Sequence, residues 1–192
     1  MTTPLHRAKA SVRLEVRSRL SAMSETQRET ASSGICSRLR QQLIWQCAGS
    51  LLFFAPLPDE PDIWPLLEEA LRSGRTVALP RFSAPTKNYE ACVVRDLAAD
   101  LVIGQFGIRE PAFGCAVLPL NRLDLALVPG VAFDQDGRRL GRGRGFFDRL
   151  LANIRGTKCG IAFDEQLVDA VPVGPLDVGL NCILTPTRWI ET

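Results

Sequence analysis

Histidine is almost absent: His6 is the only one in 192 residues. The six cysteines (Cys36, Cys47, Cys92, Cys115, Cys159 and Cys182) are scattered, with no C-x-x-C pair. A Cys/His zinc centre therefore lacks a ligand set, and a serine or cysteine hydrolase lacks the histidine its nucleophile needs. Long apolar runs are missing as well. None approaches the ~20 residues that span a bilayer, and the polar, helix-patterned N-terminus has no signal-peptide core. These absences lead to the expectation of a cytoplasmic protein with no membrane partner, whose reduced thiols serve as small core residues. Internal repeats, low-complexity tracts and linker-like stretches are absent too.

What is present is ordinary in bulk and uneven in detail. Apolar residues make up 46% and charged residues 23%, the balance of a globular chain long enough to bury one core. The net charge of +2 does not mark a dedicated nucleic-acid binder. Residues 1–50, however, carry eight Lys and Arg against three Asp and Glu, and the remainder fifteen against eighteen. A basic N-terminal segment on a slightly acidic body suits an anionic small molecule as well as it suits RNA.

Patterning predicts two N-terminal helices. Thr3-Pro4 reads as a helix start, with Val12, Val16 and Leu20 on one stripe and Lys9 and Arg13 together on another face. Ser24 to Gln27 has capping-box spacing for a second helix running to about Trp45, with Ile35, Leu39 and Leu43 at four-residue steps. After Gly49 the pattern turns to strands, "LLFFA", "TVALP", "YEACVV", "DLALVPGVAF", "KCGIAF" and a last strand "NCILT". Helical stretches lie between them, "IWPLLEEALRSG", "FFDRLLANI" and a short "EQLVDAVP". Alternation of this kind predicts an α/β fold, a three-layer α/β/α arrangement with a mainly parallel central sheet and N-terminal helices. One domain over 1–192 is expected, with 1–48 as its helical part and 49–192 as its α/β body.

The densest chemistry is "RRLGRGRGFFDR", Arg138 to Arg149. Gly141, Gly143 and Gly145 stand between a predicted strand and a predicted helix, where free backbone N–H groups and the helix dipole favour an anion. Arg139, Arg142 and Arg144 add forked donors suited to phosphate oxygens. The G-x-G-x-G spacing, late in the chain, departs from the dinucleotide fingerprint, and a Walker A Gly-Lys-Ser/Thr is absent. An RGG-type RNA arm would be longer and repetitive. The residues favour a phosphate cradle, with a solvated turn or a nucleic-acid patch as alternatives. Asp148 reads equally as a Mg²⁺ ligand or as a first-turn helix aspartate. On residues alone, Lys9 and Arg13 read as a solvated face, and Phe53, Phe54, Trp45, Trp64 and Trp189 as packing.

Taken together, "LVPGVAFDQDGRRLGRGRGFFDRLL" (127–151) resembles the signature of the 5-formyltetrahydrofolate cyclo-ligase family, also called 5,10-methenyltetrahydrofolate synthetases. Lys9 and Arg13 are similar to its N-terminal K-x-x-x-R helix, "LFFAPLPDEPD" to its folate-contacting strand and loop, and "FGIREP" (106–111) to its F-G-I-x-E-P. "GIAFDEQLVDAVPVGPLDV" is similar to its C-terminal pattern, whose aspartate maps to Asp177. This chain departs from the family at Arg144, usually glycine; at Phe146 and Phe147, commonly tyrosine; and at Leu176, commonly histidine. The two lost hydroxyls leave stacking or packing for the phenylalanines.

The resemblance implies an enzyme that joins 5-formyltetrahydrofolate and ATP, with Mg²⁺, into 5,10-methenyltetrahydrofolate, ADP and phosphate through a phosphorylated formyl group. It assigns ATP to Lys9, Arg13 and the loop Arg139, Leu140, Gly141, Arg142, Gly143, Arg144, Gly145, Phe146 and Phe147. It assigns the folate to Ala55, Glu60, Arg142 and Phe146, metal to Asp148 and Asp177, and catalysis to Arg142 and Asp148. A monomer without a nucleic-acid partner is expected. Two alternatives stay open: a nucleotide- or RNA-binding module without turnover, and cyclisation of a different N-formyl substrate.

Overall fold

Thr3 accepts the His6 N–H through its side chain and opens α1 (Pro4–Ser21), whose first-turn proline fits a position that needs no donor. Residues 3–104 and 107–192 are described by the structure, a computed structural model. Ser24 and Gln27 exchange the two hydrogen bonds of a capping box at the start of α2 (Glu25–Arg40). The second helix does not run on to Trp45. It stops at Arg40, and a separate short helix, α3 (Leu43–Cys47), follows. The break inverts the expected stripe, since Leu43 is exposed whereas Trp45 is buried, edge-on to Phe53 at 6.2 Å. Burial of the larger ring outweighs continuation of the helix.

The strands are β1 (Ser50–Leu52), β2 (Thr76–Ser83), β3 (Asn88–Val94), β6 (Leu125–Val128), β9 (Thr157–Ile161), β10 (Cys182–Leu184) and β11 (Trp189–Glu191). They form one seven-stranded sheet in the order β11-β10-β9-β6-β1-β2-β3. Pairing is parallel from β10 through to β2, and only the edge strands β11 and β3 run antiparallel. Two small ribbons stand apart, β4 (Leu101–Ile103) with β5 (Arg109–Pro111) and β7 (Ala132–Phe133) with β8 (Arg139–Leu140).

Alternation along each strand divides the core. Leu51, Val77, Leu125, Leu127 and Ile161 share one cluster with Val16 and Leu20 of α1, Ile35 and Leu39 of α2, and Leu66 and Leu67 of α4 (Trp64–Arg72). Leu52, Ala78, Ala126, Val128 and Ile183 join Leu150 and Leu151 of α5 (Phe146–Leu151) on the opposite face. With both faces covered, the strands read as nearly continuous apolar runs. The result is a mixed α/β fold with a mostly parallel central sheet and N-terminal helices.

Two further expectations change. "EQLVDAVP" is not a helix beyond a single 3-10 turn at Asp164–Gln166. Its backbone N–H groups are taken by tertiary partners instead, Val168 by the Phe133 carbonyl and Val171 by the Asp134 carboxylate. "NCILT" is not the last strand, because β11 returns antiparallel beside it. The β4–β5 ribbon has no forerunner in the sequence reading. All six cysteines are free, and Cys36, Cys92, Cys159 and Cys182 are buried, though Cys47 is exposed. No helix among the described residues is long and apolar enough to cross a membrane.

Candidate active site

Parallel strands deliver their following loops to one edge of the sheet, and the candidate site lies there. The chain leaving β1 supplies Phe54, Ala55, Leu57 and Glu60, and the chain leaving β6 supplies Pro129 and Gly130. Together with Tyr89 and the α5 entry they line a largely apolar cleft of about 390 Å³.

The glycine-arginine loop forms the second wall. Its root is the β7–β8 ribbon, closed by buried Asp134, which accepts the N–H groups of Asp136 (3.1 Å) and Arg138 (3.0 Å) at Oδ1 and of Val171 (2.7 Å) at Oδ2. Beyond the ribbon, Gly143 (φ +108°) and Gly145 (φ +65°) hold backbone conformations that a side chain disfavours, and Gly145 caps α5. Arg13 reaches from α1 and donates from Nε to the Gly141 carbonyl at 2.9 Å. One turn earlier on α1, Lys9 pairs with Asp177, whose Oδ2 also accepts the Gly174 N–H at 2.6 Å. Burial pushes the Asp177 carboxyl up, but Lys9 and the Gly174 N–H outweigh it and hold the group below the usual carboxylate range.

The three loop arginines differ in kind. Arg139 is 4% exposed and faces inward: it donates to the Pro129 carbonyl (3.1 Å) and to Asp148 (2.7 Å), while its Nε has no partner among the described residues. Arg142 crosses the cleft to the β1 loop, where it meets Asp59 at 2.6 Å and Glu60 at 3.0 Å. Burial pushes the Glu60 carboxyl above its usual range, against the opposing pull of Arg142 and of the Leu57 N–H. Arg144 lines the cleft beside Gly145, Phe146 and Phe147.

Phe146 sits in an aromatic corner, its ring 5.4 Å from both Phe82 and Tyr89. Phe147 lies 6.2 Å from Tyr89, and the Arg139 guanidinium stands 5.9 Å from its ring centroid. Leu140 is buried in the core behind the loop. The structure thus gathers Ala55, Glu60, Arg142, Arg144, Gly145, Phe146 and Phe147 around one cleft. It puts Lys9, Arg13 and Asp177 against the loop from the α1 side, and Asp148 behind it on Arg139. Phe106 of the "FGIREP" stretch lies outside the described residues.

Sequence reasoning missed Tyr89, Ile108, Arg109 and Glu110, which also line the cleft. Tyr89 reads as an ordinary strand residue. The other three belong to "FGIREP", and only the packing of β5 on β2 brings them to the site.

No group of three or more His, Cys, Asp and Glu converges as a metal cage among the described residues. Asp148 and Asp177 are each ion-paired, to Arg139 and Lys9. This donor set fits a Mg²⁺ ion that arrives on nucleotide phosphates and takes only one or two carboxylates from the protein.

A three-layer α/β fold that brings an arginine-glycine loop and a buried carboxylate to one apolar cleft has the architecture of an α/β enzyme. The family is then specific. The model of the 5-formyltetrahydrofolate cyclo-ligase family matches residues 6–186, and the chain belongs to that family of ligases. It is 34% identical over 186 residues to the 5-formyltetrahydrofolate cyclo-ligase of Escherichia coli strain K12, covering 92% of this chain and 99% of that one. It is 36% identical over 148 residues to the enzyme of the same name from Mycolicibacterium smegmatis, covering 71% and 73%. The NMR structure of Aquifex aeolicus 5,10-methenyltetrahydrofolate synthetase superposes with a TM-score of 0.85 at 30% identity, covering 95% of this chain and 92% of that one.

Proposed function

We propose that the protein converts 5-formyltetrahydrofolate and ATP into 5,10-methenyltetrahydrofolate, ADP and phosphate. One observation carries this reading beyond family membership: Arg142 of the glycine-arginine loop is bonded across the cleft to Glu60 of the β1 loop. The anion-binding wall and the buried carboxylate therefore face the same space, as transfer of a phosphoryl group between two bound substrates requires.

The N5-formyl group is amide-like, a poor electrophile with a poor leaving group. Transfer of the γ-phosphoryl group to the formyl oxygen gives an iminium phosphate. N10 attacks the formyl carbon, the C–O bond breaks to release phosphate, and the N10 proton is lost as the ring closes. The protein's part is positioning and charge stabilisation. Lys9, Arg13, Arg144 and the N–H groups of Gly141 to Gly145 bind phosphate oxygens. Arg142 steadies the phosphoryl group in transit, and Glu60 accepts from the pterin N–H donors. Phe146, Phe147 and Tyr89 wall the aromatic part of the folate. Asp148 and Asp177 would hold a Mg²⁺ ion, which supplies charge neutralisation at the phosphates.

The test is the gain of methenyl-folate absorbance by the purified protein on 5-formyltetrahydrofolate, with ATP and Mg²⁺ each added or withheld. Turnover that needs both is the expected result. Absence of turnover, together with steeply salt-dependent RNA binding, would sink the reading.

A further inference from the structure

Strand β6 ends at Val128, and the chain leaves the sheet through Pro129 and Gly130, both buried and both on the cleft wall. This short stretch is held by two buried side chains. Arg139, whose side chain is 2% exposed, donates from Nη1 to the Pro129 carbonyl at 3.1 Å. Gln166 donates from Nε2 to the carbonyls of Gly130 at 2.7 Å and Val131 at 3.3 Å, while its Oε1 accepts the Phe163 N–H at 2.8 Å. A side chain at Gly130 has no room, since a Cβ would stand 2.6 Å from Phe133 Cζ and 3.0 Å from Arg139 Cγ.

One group of this stretch is left over. The Gly130 N–H has no acceptor among the described residues, whereas the next N–H, that of Val131, goes to the Leu140 carbonyl at 2.7 Å. Buried backbone N–H groups are nearly always paired, so an orphan on a cleft wall asks for an acceptor from a ligand. Its direction is set. The peptide is trans, so the N–H opposes the Pro129 carbonyl and points away from the buried Arg139 guanidinium. A donor fixed in advance within an apolar cleft is worth most to an oxygen whose negative charge grows during the reaction.

We propose that the Gly130 N–H is a catalytic donor to an oxygen of the phosphoryl group in transit. It binds that oxygen while the bond from phosphorus to ADP breaks and the bond to the formyl oxygen forms, and it gives up no proton. Gln166 is a positioning residue that touches no reacting atom and acts by holding the Gly130 carbonyl. The inference rests on the cyclo-ligase reading above and adds to it a donor outside the glycine-arginine loop.

Pro129-Gly130 is the only Pro-Gly step in the chain, so carbonyl-13C proline combined with 15N glycine isolates the Gly130 amide as one NMR resonance. Its proton shift is followed in the wild type with Mg-ADP, with 5-formyltetrahydrofolate, and with both plus aluminium fluoride, a mimic of the phosphoryl group in transit. In parallel, kcat and both KM values are measured for the wild type and Gln166→Met, which keeps the length of the side chain and loses its donors. The expected result is a downfield shift in the complete mixture alone. Gln166→Met should lower kcat by about a hundredfold, the order for a misplaced catalytic group, with both KM values unchanged. A resonance that does not move in the complete mixture overturns the proposal, whether or not Gln166→Met folds. A full shift with 5-formyltetrahydrofolate alone places the donor on the formyl oxygen of the bound substrate and overturns its assignment to the phosphoryl group. A folded Gln166→Met with wild-type kcat overturns the positioning role. A wild type without ATP-dependent turnover overturns the cyclo-ligase reading itself, a failure read from the absorbance assay and not from the resonance.

Discussion

Glu60 is a carboxylate kept where its charge is disfavoured, since burial raises its pKa and Arg142 offsets only part of that. A group whose folded pKa lies above its unfolded value withdraws stability as pH rises through the folded value. Glu60→Gln is therefore expected to leave Tm at pH 7.5 no lower than wild type. That advantage should shrink on acidification into the carboxylate range, while KM for 5-formyltetrahydrofolate rises; thermal melts at several pH values with matched kinetics check both. At this scale the sequence was only partly legible. Glu60 was found through family likeness, because a Pro/Asp loop by itself gives no sign that one carboxylate turns inward. Arg139 reads like its neighbours Arg142 and Arg144, yet the β7–β8 pairing buries it against Asp148. Arg109 and Tyr89 gave no local signal, because what makes them cleft residues is the packing of distant strands.

Among the elements, the loop between β8 and α5 depends most on backbone freedom. Gly143 at φ +108° has room for a Cβ, with Arg13 the nearest group at 3.6 Å, so a substitution there acts through conformation alone. Gly143→Ala is expected to cost about 1–3 kcal/mol, or a few degrees in Tm by the scaling of about 2–4 °C per kcal/mol. It should also raise KM for ATP, as the loop N–H groups turn from their positions. A Tm and an ATP affinity both equal to wild type would show that the loop tolerates another path. Helix starts were legible because their signals are local: the Thr3 cap and the Ser24–Gln27 box lie within four residues of the helices they begin. Helix ends and the C-terminal region were not. Trp45 left the expected stripe to meet Phe53, and the residues after Gln166 gave their N–H groups to Phe133 and Asp134. Both outcomes depend on partners more than thirty residues before them or eight after, beyond the reach of periodicity.

Over the whole molecule, the parallel sheet was legible from strand–helix alternation, whereas the strand order and both antiparallel edges were not. The N-terminal helices are tied to the second half of the chain by polar contacts: Lys9 to Asp177, Arg13 to Gly141, Arg19 to the Leu167 carbonyl and Arg38 to the Pro186 carbonyl. The first of these ties has a pH signature. Asp177 is held below its usual range, so its contribution is present above the unfolded pKa and is lost as pH falls through the folded value. In Lys9→Met the opposing burial is left without its main counterweight, and acid unfolding should begin at a higher pH than in the wild type. An unchanged acid midpoint, followed by circular dichroism, would remove the pair from the account of stability. Lys9 and Asp177 are also 168 positions apart, which matters while the chain is being made. At roughly 5–20 residues per second, α1 leaves the ribosome on the order of ten seconds or more before Asp177 does. Through that interval Lys9 lacks its Asp177 partner, and the α1 side of the glycine-arginine loop is completed only as synthesis nears its end.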